Sequence, residues 1–230
     1  MLGKTLLVLG ILILAWIGLT LALRSHPAGP TCKDAAAEFR QVAPRLVTHR
    51  ETGGFASGFQ RATCLAIAPG GTLVIGGDRA LRVFDRAGIR QREIPLPQEP
   101  TCVATDKNGR LATGFASGFL LLSAADDAET TVSCPAPSLV TGIAFAEDLV
   151  LVADAGLKRI QAYDRRGKKT GEIAVAANGD DGVVIYRPHL DVAVGADELV
   201  RVTDPGRHRV KLYDVDGVRI AAWPSQPGMA

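Results

Sequence analysis

Beyond residue 60, apolar and polar positions alternate over short runs, the two-residue period that sends successive side chains to opposite faces of a strand. In Arg209-Val210-Lys211-Leu212-Tyr213, Val210 and Leu212 share one face. The runs come in pairs joined by polar turns: TCLAIAPGGTLVIGG from Thr63, TCVATDKNGRLATGF from Thr101, TGIAFAEDLVLVADA from Thr141 and LDVAVGADELVRVTD from Leu190. Three of the four units close alike, with LRVFDRAG from Leu81, RIQAYDRRG from Arg159 and RVKLYDVDG from Arg209, whereas the second unit has FLLLSAADD from Phe119. Helical repeats of this length would show a period of 3.6, and these do not. The segment is therefore read as all-β.

The units start 38, 40 and about 49 residues apart. A period near 40 holding several short strands, with Gly, Asp and Asn at the turns, is the spacing of β-propeller blades, each one four-stranded antiparallel sheet. The last unit, Tyr186 to Trp223, most resembles the NHL repeat, through Pro188, Asp204, Gly206, Arg209, Val210, Tyr213, Asp214 and Gly217. The third supplies Asp154, Gly156, Arg159, Ile160, Tyr163, Asp164 and Gly167 at the same offsets, and the first keeps Asp78, Phe84, Asp85 and Gly88. The second departs from the pattern, with Phe115 and Ala116 where the family has its Asp turn. The resemblance spans residues 61–223 and implies a propeller used as a binding module or, less often, as a lyase or lactonase-like enzyme.

About four blades raise the question of closure. Either they close tightly on themselves, a second chain completes the ring, or the chain is an interrupted form of a longer protein; the reading favours an open or incomplete ring. The tail, residues 224–230, reads as an inter-blade loop that stops where another strand should begin. An open ring leaves a terminal blade face uncovered, which calls for a protein partner or a second chain there.

The amino-terminal pattern is different. Thr5 to Leu23 is a run of nineteen residues without a charge, and at about 1.5 Å per residue a helix of that length covers roughly the hydrocarbon thickness of a bilayer. The run exceeds a signal-peptide core and ends Leu21-Ala22-Leu23-Arg24, a poor cleavage site, so it is read as an uncleaved transmembrane anchor within residues 1–24. Lys4 on one side and Arg24, Lys33 and Arg40 on the other leave the positive-inside count undecided. The short leader suits a single-pass signal-anchor with the carboxy-terminal domain on the extracytoplasmic side. Residues 25–60 form a stalk, with a lone strand expected at 45–49.

A near-neutral balance, 26 basic against 24 acidic residues, and 5% aromatics argue against nucleic acid as a partner. Asp85, Asp164 and Asp214 each precede a tight turn ending in Gly, where a carboxylate accepts backbone N–H groups, so their expected task is structural. Asp154 with Arg159, and Asp204 with Arg209, are expected to form carboxylate–guanidinium clasps. Cys32, Cys64, Cys102 and Cys134 show no metal or haem spacing, and their disulfide connectivity stays open. No catalytic residue, metal ligand or cofactor is assigned. GFASGF occurs at Gly54–Phe59 and again at Gly114–Phe119, out of step with the blades, and Arg165, Arg166, Lys168 and Lys169 read as a solvated turn.

If a ligand site exists, the longest inter-blade loop is the place for it. Residues 176–189 exceed the basic period and carry Asn178, Asp180, Asp181, Tyr186, Arg187 and His189, with Arg207 and His208 expected alongside. Asp180, Asp181, Tyr186, Arg187, His189, Arg207 and His208 are the candidate ligand-binding set. The expected function is a membrane-anchored binding or scaffold propeller for a protein or small ligand. The rival is a metal-dependent lyase or lactonase-like enzyme, which requires ligands converging from several blades.

Overall fold

The computed structural model describes residues 51, 53–122, 129–134, 136–174 and 182–223. The expected anchor, most of the stalk with its 45–49 strand, and the 224–230 tail lie outside these residues. The chain divides into the units Met1–Gly53 and Gly54–Ala230, and every element described below belongs to the second. No helix among the described residues is long and apolar enough to cross a membrane.

Among the described residues sixteen strands form four sheets of four. Blade 1 is β1 (Ala62–Ile67), β2 (Leu73–Gly77), β3 (Ala80–Phe84) and β4 (Arg90–Pro95). Blade 2 is β5 (Cys102–Thr105), β6 (Leu111–Phe115), β7 (Gly118–Leu122) and β8 (Glu129–Ser133). Blade 3 is β9 (Val140–Ala146), β10 (Leu149–Asp154), β11 (Arg159–Asp164) and β12 (Lys169–Ile173), and blade 4 is β13 (Val192–Val194), β14 (Val200–Asp204), β15 (Arg209–Tyr213) and β16 (Arg219–Trp223). Strands follow chain order across each sheet and all pairs are antiparallel, as short connections dictate. The first strands pack side by side in the order β1, β5, β9, β13, forming the inner edge of a β-propeller arc. No packing of that kind joins β13 to β1.

The core lies between blades. Val74, Leu81 and Ile94 of blade 1 meet Val103, Phe115, Leu120 and Leu122 of blade 2. Phe119 and Leu121 of blade 2 meet Val150, Val152 and Tyr163 of blade 3, with the Phe119 and Tyr163 rings edge to face at 4.8 Å. Leu151 and Ile160 of blade 3 meet Leu190, Val200, Val202 and Tyr213. Position in the series decides burial. From Val150 onward every residue of β10 is buried, because blade 3 is covered on both faces, whereas β1 alternates between half-buried and exposed.

Threonines at the unit starts clasp neighbouring blades. The Thr63 hydroxyl donates to the Pro100 carbonyl at 2.7 Å, and that of Thr141 to the Leu190 carbonyl at 2.6 Å. The expected Asp turns are present: Asp85 Oδ1 accepts from the N–H groups of Ala87 and Ile89, and Asp164 Oδ1 from those of Arg166 and Lys168, all at 2.9 Å. Asp214 Oδ1 accepts from Val218 N–H at 2.7 Å. Gly88, Gly167 and Gly217 close these turns at φ 79, 80 and 89°, which side chains rarely adopt.

Candidate binding surfaces

The 182–190 loop and the β14–β15 turn lie side by side. Val184 N–H donates to Asp204 Oδ1 at 2.7 Å, Gly206 N–H to the Val184 carbonyl at 2.7 Å, and Arg207 Nη1 to the Gly182 carbonyl at 2.9 Å. Arg207 is also ion-paired with Asp204 at 3.1 Å, so its guanidinium is built into the scaffold. His208 adopts a left-handed conformation at φ 53° that ends the Pro205–Arg207 turn. Tyr186 is 83% exposed, and Arg187 and His189 are exposed with it. Asn178, Asp180 and Asp181 lie outside the described residues.

The expected clasp between Asp154 and Arg159 is replaced by other partners. Asp154, fully buried, accepts from the N–H groups of Leu139 and Leu157 at 2.9 Å, from Gln161 Nε2 at 2.7 Å and from the Ser138 hydroxyl. Arg159 pairs instead with Glu172 on β12 at 2.6 Å. Donors of the local turn satisfy the buried carboxylate, leaving the half-buried guanidinium to the neighbouring strand. In blade 4, Asp204 is buried with the Lys211 ammonium 3.0 Å away, both side chains being inaccessible to solvent. Lys211 also donates to the Gly182 carbonyl at 2.5 Å. Alternation alone reads Lys211 as a surface residue; the signal for burial is its place seven residues after the motif Asp, where blade 3 has Gln161.

Arg165 departs from the expectation of a solvated turn. It pairs with the buried Asp106 of blade 2 at 3.0 Å and with Asp148 at 3.1 Å, and it donates to the Glu147 carbonyl. Asp106 also caps its own turn through the N–H groups of Asn108 and Arg110. The two GFASGF copies serve different purposes. Phe55 packs on Phe84 at 4.9 Å and Phe59 lies under the Arg82 guanidinium at 4.1 Å, so the first copy covers part of the outer face of blade 1. Phe115 and Phe119 of the second belong to the two core layers flanking blade 2. Cys64, Cys102 and Cys134 are free thiols; burial pushes Cys102 up to about 12 and raises the other two.

Exposed apolar side chains gather on the two terminal blades. Leu65 and Ile67 on β1 are 64% and 69% exposed, and Ile220 and Trp223 on β16 are 55% and 67% exposed. In blade 3, flanked on both sides, the corresponding strands place most apolar side chains in the core.

Four antiparallel blades with their first strands along a common inner edge define a β-propeller. Among solved structures the chain is similar to virginiamycin B lyase from Staphylococcus aureus crystallised with quinupristin: TM-score 0.57, 15% identity, covering 76% of this chain and 58% of that one. It is similar also to a streptogramin B lyase, with TM-score 0.57 and 15% identity over 72% and 55% of the two chains. Hydrazine synthase of Kuenenia stuttgartiensis matches with TM-score 0.55 and 17% identity over 74% and 52%. The chain thus spans little more than half the length of these structures, and at such identities the likeness shows the fold alone. No family model and no curated protein matches the sequence.

Proposed function

We propose that the chain is a membrane-anchored, NHL-like propeller that serves as a binding or scaffold module. Thr5 to Leu23 holds it as a single-pass anchor, with the propeller on the extracytoplasmic side. The observation that carries the binding role is the solvent-exposed apolar set on the terminal blades, Leu65 and Ile67 at one end and Ile220 and Trp223 at the other. A protein partner or a second copy covers these faces as neighbouring blades cover the faces of blade 3. The motif carboxylates favour this over the metal-dependent lyase reading: Asp85, Asp154, Asp164, Asp204 and Asp214 all accept hydrogen bonds from backbone or scaffold side chains. Among the described residues no three His, Cys, Asp or Glu side chains converge.

The test is photocrosslinking of the full chain in its own membrane, with a photoreactive side chain at 65, 67, 220 or 223 and controls at the exposed polar positions 107 and 168. Discrete adducts at the terminal-face positions and none at the controls support the binding role. Equal or absent crosslinking at both sets removes it.

A further inference from the structure

The four blades share a register, so their faces can be compared position by position. Leu65 of β1 pairs with Ile75 of β2, and Val103, Ile143 and Val192 hold the same place on the first strands of blades 2, 3 and 4. Those three are buried against the preceding blade, whereas Leu65 is 64% exposed. The other end of the arc mirrors this. Ile94 and Ile173, on the fourth strands of blades 1 and 3, are buried against the following blade, and Trp223 at the same place in blade 4 is 67% exposed. Blade 1 thus presents the face that a blade turns to its predecessor, and blade 4 the face that it turns to its successor. The two are the halves of one kind of seam, and a single chain carries both.

Charge at the rim follows the same pattern. Arg165, on the β11–β12 turn, donates to the Glu147 carbonyl of its own blade and pairs with Asp106 on the first turn of the preceding blade at 3.0 Å. Arg86 holds the equivalent place in blade 1 and repeats the first of these contacts, its Nε donating to the Gly70 carbonyl at 2.6 Å. The acid of a preceding blade is what the second contact requires. The first turn of blade 4 carries Asp197 and Glu198; Asp197 holds Arg201 at 2.7 Å, and Glu198 is exposed beside it. An acidic turn at one end of the arc and an arginine at the other are complementary across a seam. The Gly54–Phe59 segment lies over Arg82 and Phe84 and leaves Leu65 and Ile67 on β1 open.

We propose that the blade 4 face binds the blade 1 face of a second copy of this chain, with Glu198 against Arg86 of the copy, and that two such contacts close the four blades of each chain into one ring of eight. Eight blades fall within the roughly four to eight of β-propellers. A head-to-tail contact that closes gives a discrete dimer rather than a fibre. Its two-fold runs along the propeller axis, so both copies present residue 54 on the same side, as two anchors in one membrane require. The proposal rests on the binding-module reading and names its partner.

Co-expression of two differently tagged full chains in their own membrane tests it. The donor copy carries a photoreactive side chain at 223, and the acceptor copy is otherwise wild type. An adduct bearing both tags, mapped by mass spectrometry to blade 1 of the acceptor, supports the ring. Leu65→Glu in the acceptor should abolish that adduct. Arg86→Glu in the acceptor should lower its yield about fivefold, and Glu198→Arg in the donor should restore it. An adduct mapped to blade 4 of the acceptor, an unchanged yield with Leu65→Glu, or no recovery from the paired reversal overturns the interface. Adducts to a different protein alone overturn the second copy and leave the binding-module reading standing, whereas no adduct from 65, 67, 220 or 223 removes both. Wild-type unfolding temperatures for Leu65→Glu and Arg86→Glu show that a lost adduct reflects the interface and not the fold.

Discussion

Replacing Lys211 tests how blade 4 tolerates charge in its interior. Asp204 and Lys211 are both fully buried, 3.0 Å apart, and Arg207 lies 3.1 Å from the same carboxylate oxygen. At that separation and an effective dielectric near 20, each contact represents about 5 kcal/mol of gross attraction, most of it offset by desolvation. Removing one partner of a buried pair costs about 3–5 kcal/mol, because the other charge stays buried. Arg207 remains beside Asp204 in Lys211→Met, so the expected loss lies lower, about 2–3 kcal/mol. Lys211→Gln should lose only about 1 kcal/mol, since it keeps a donor. Blade 3 already uses that arrangement, with Gln161 Nε2 2.7 Å from Asp154. Urea unfolding of the full chain in detergent, followed by circular dichroism and by Trp fluorescence, gives both values if the two probes coincide. A Lys211→Met variant within about 0.5 kcal/mol of wild type, or a Gln variant no better than Met, would refute the account of a charge held by its partners.

Two further outcomes follow from shifted titrations. Burial pushes Cys102 up to about 12 from an ordinary 9.0, so at pH 8 its alkylation in the native chain should run roughly a thousandfold slower than in urea, measured by mass spectrometry; equal rates refute the burial. Glu172 is held below its ordinary 4.5, chiefly by Lys169 at 2.5 Å and also by Arg159. A depressed carboxylate stabilises the fold above its unfolded value and loses that contribution as pH falls through the folded one. Glu172→Gln should therefore be less stable than wild type by about 1 kcal/mol at pH 7, with the gap closing below about pH 4.5; a gap independent of pH would contradict the ion pair.

The blade count, the strand order and the Asp-x-x-Gly turns were legible because each is local. Alternation, turn chemistry and a period near 40 need only neighbours in the chain. The partner of Asp106 was not, because it is set by which blade lies alongside, and those of Asp154 and Lys211 were not, because they come from the loop leading into the same blade and from facing positions of its neighbouring strand. Arg165 looks like one more charge in a basic turn until Asp106, 59 residues earlier, is seen to sit against it. Blade 2 has Leu122 where the other units have Phe84, Tyr163 and Tyr213. That departure reads as poor agreement with a repeat; only the packing shows that it puts an aliphatic side chain in the layer between blades 1 and 2 where the later seams hold a tyrosine ring.

The four blades also state a rule about buried polarity. At the end of the second strand and two residues before the end-of-strand aromatic, blade 3 carries Asp154 and Gln161, blade 4 carries Asp204 and Lys211, and blade 2 carries Phe115 and Leu120. Acid and donor occur together or are both replaced by apolar side chains, as they must where an unpartnered polar group is buried. Blade 1 has Gly77 at the register of the acid, while Asp78, one residue on and exposed, accepts the N–H groups of Gln60 and Arg61, and it keeps Arg82. The exception follows from its position. No blade packs on that outer face among the described residues, so Arg82 reaches Glu93 at 2.8 Å and the Ser57 carbonyl at 3.0 Å and rests on Phe59. Arg82 is thus held by Glu93, the Ser57 carbonyl and the Phe59 ring, beside the apolar pair Leu65 and Ile67 nearer the inner edge.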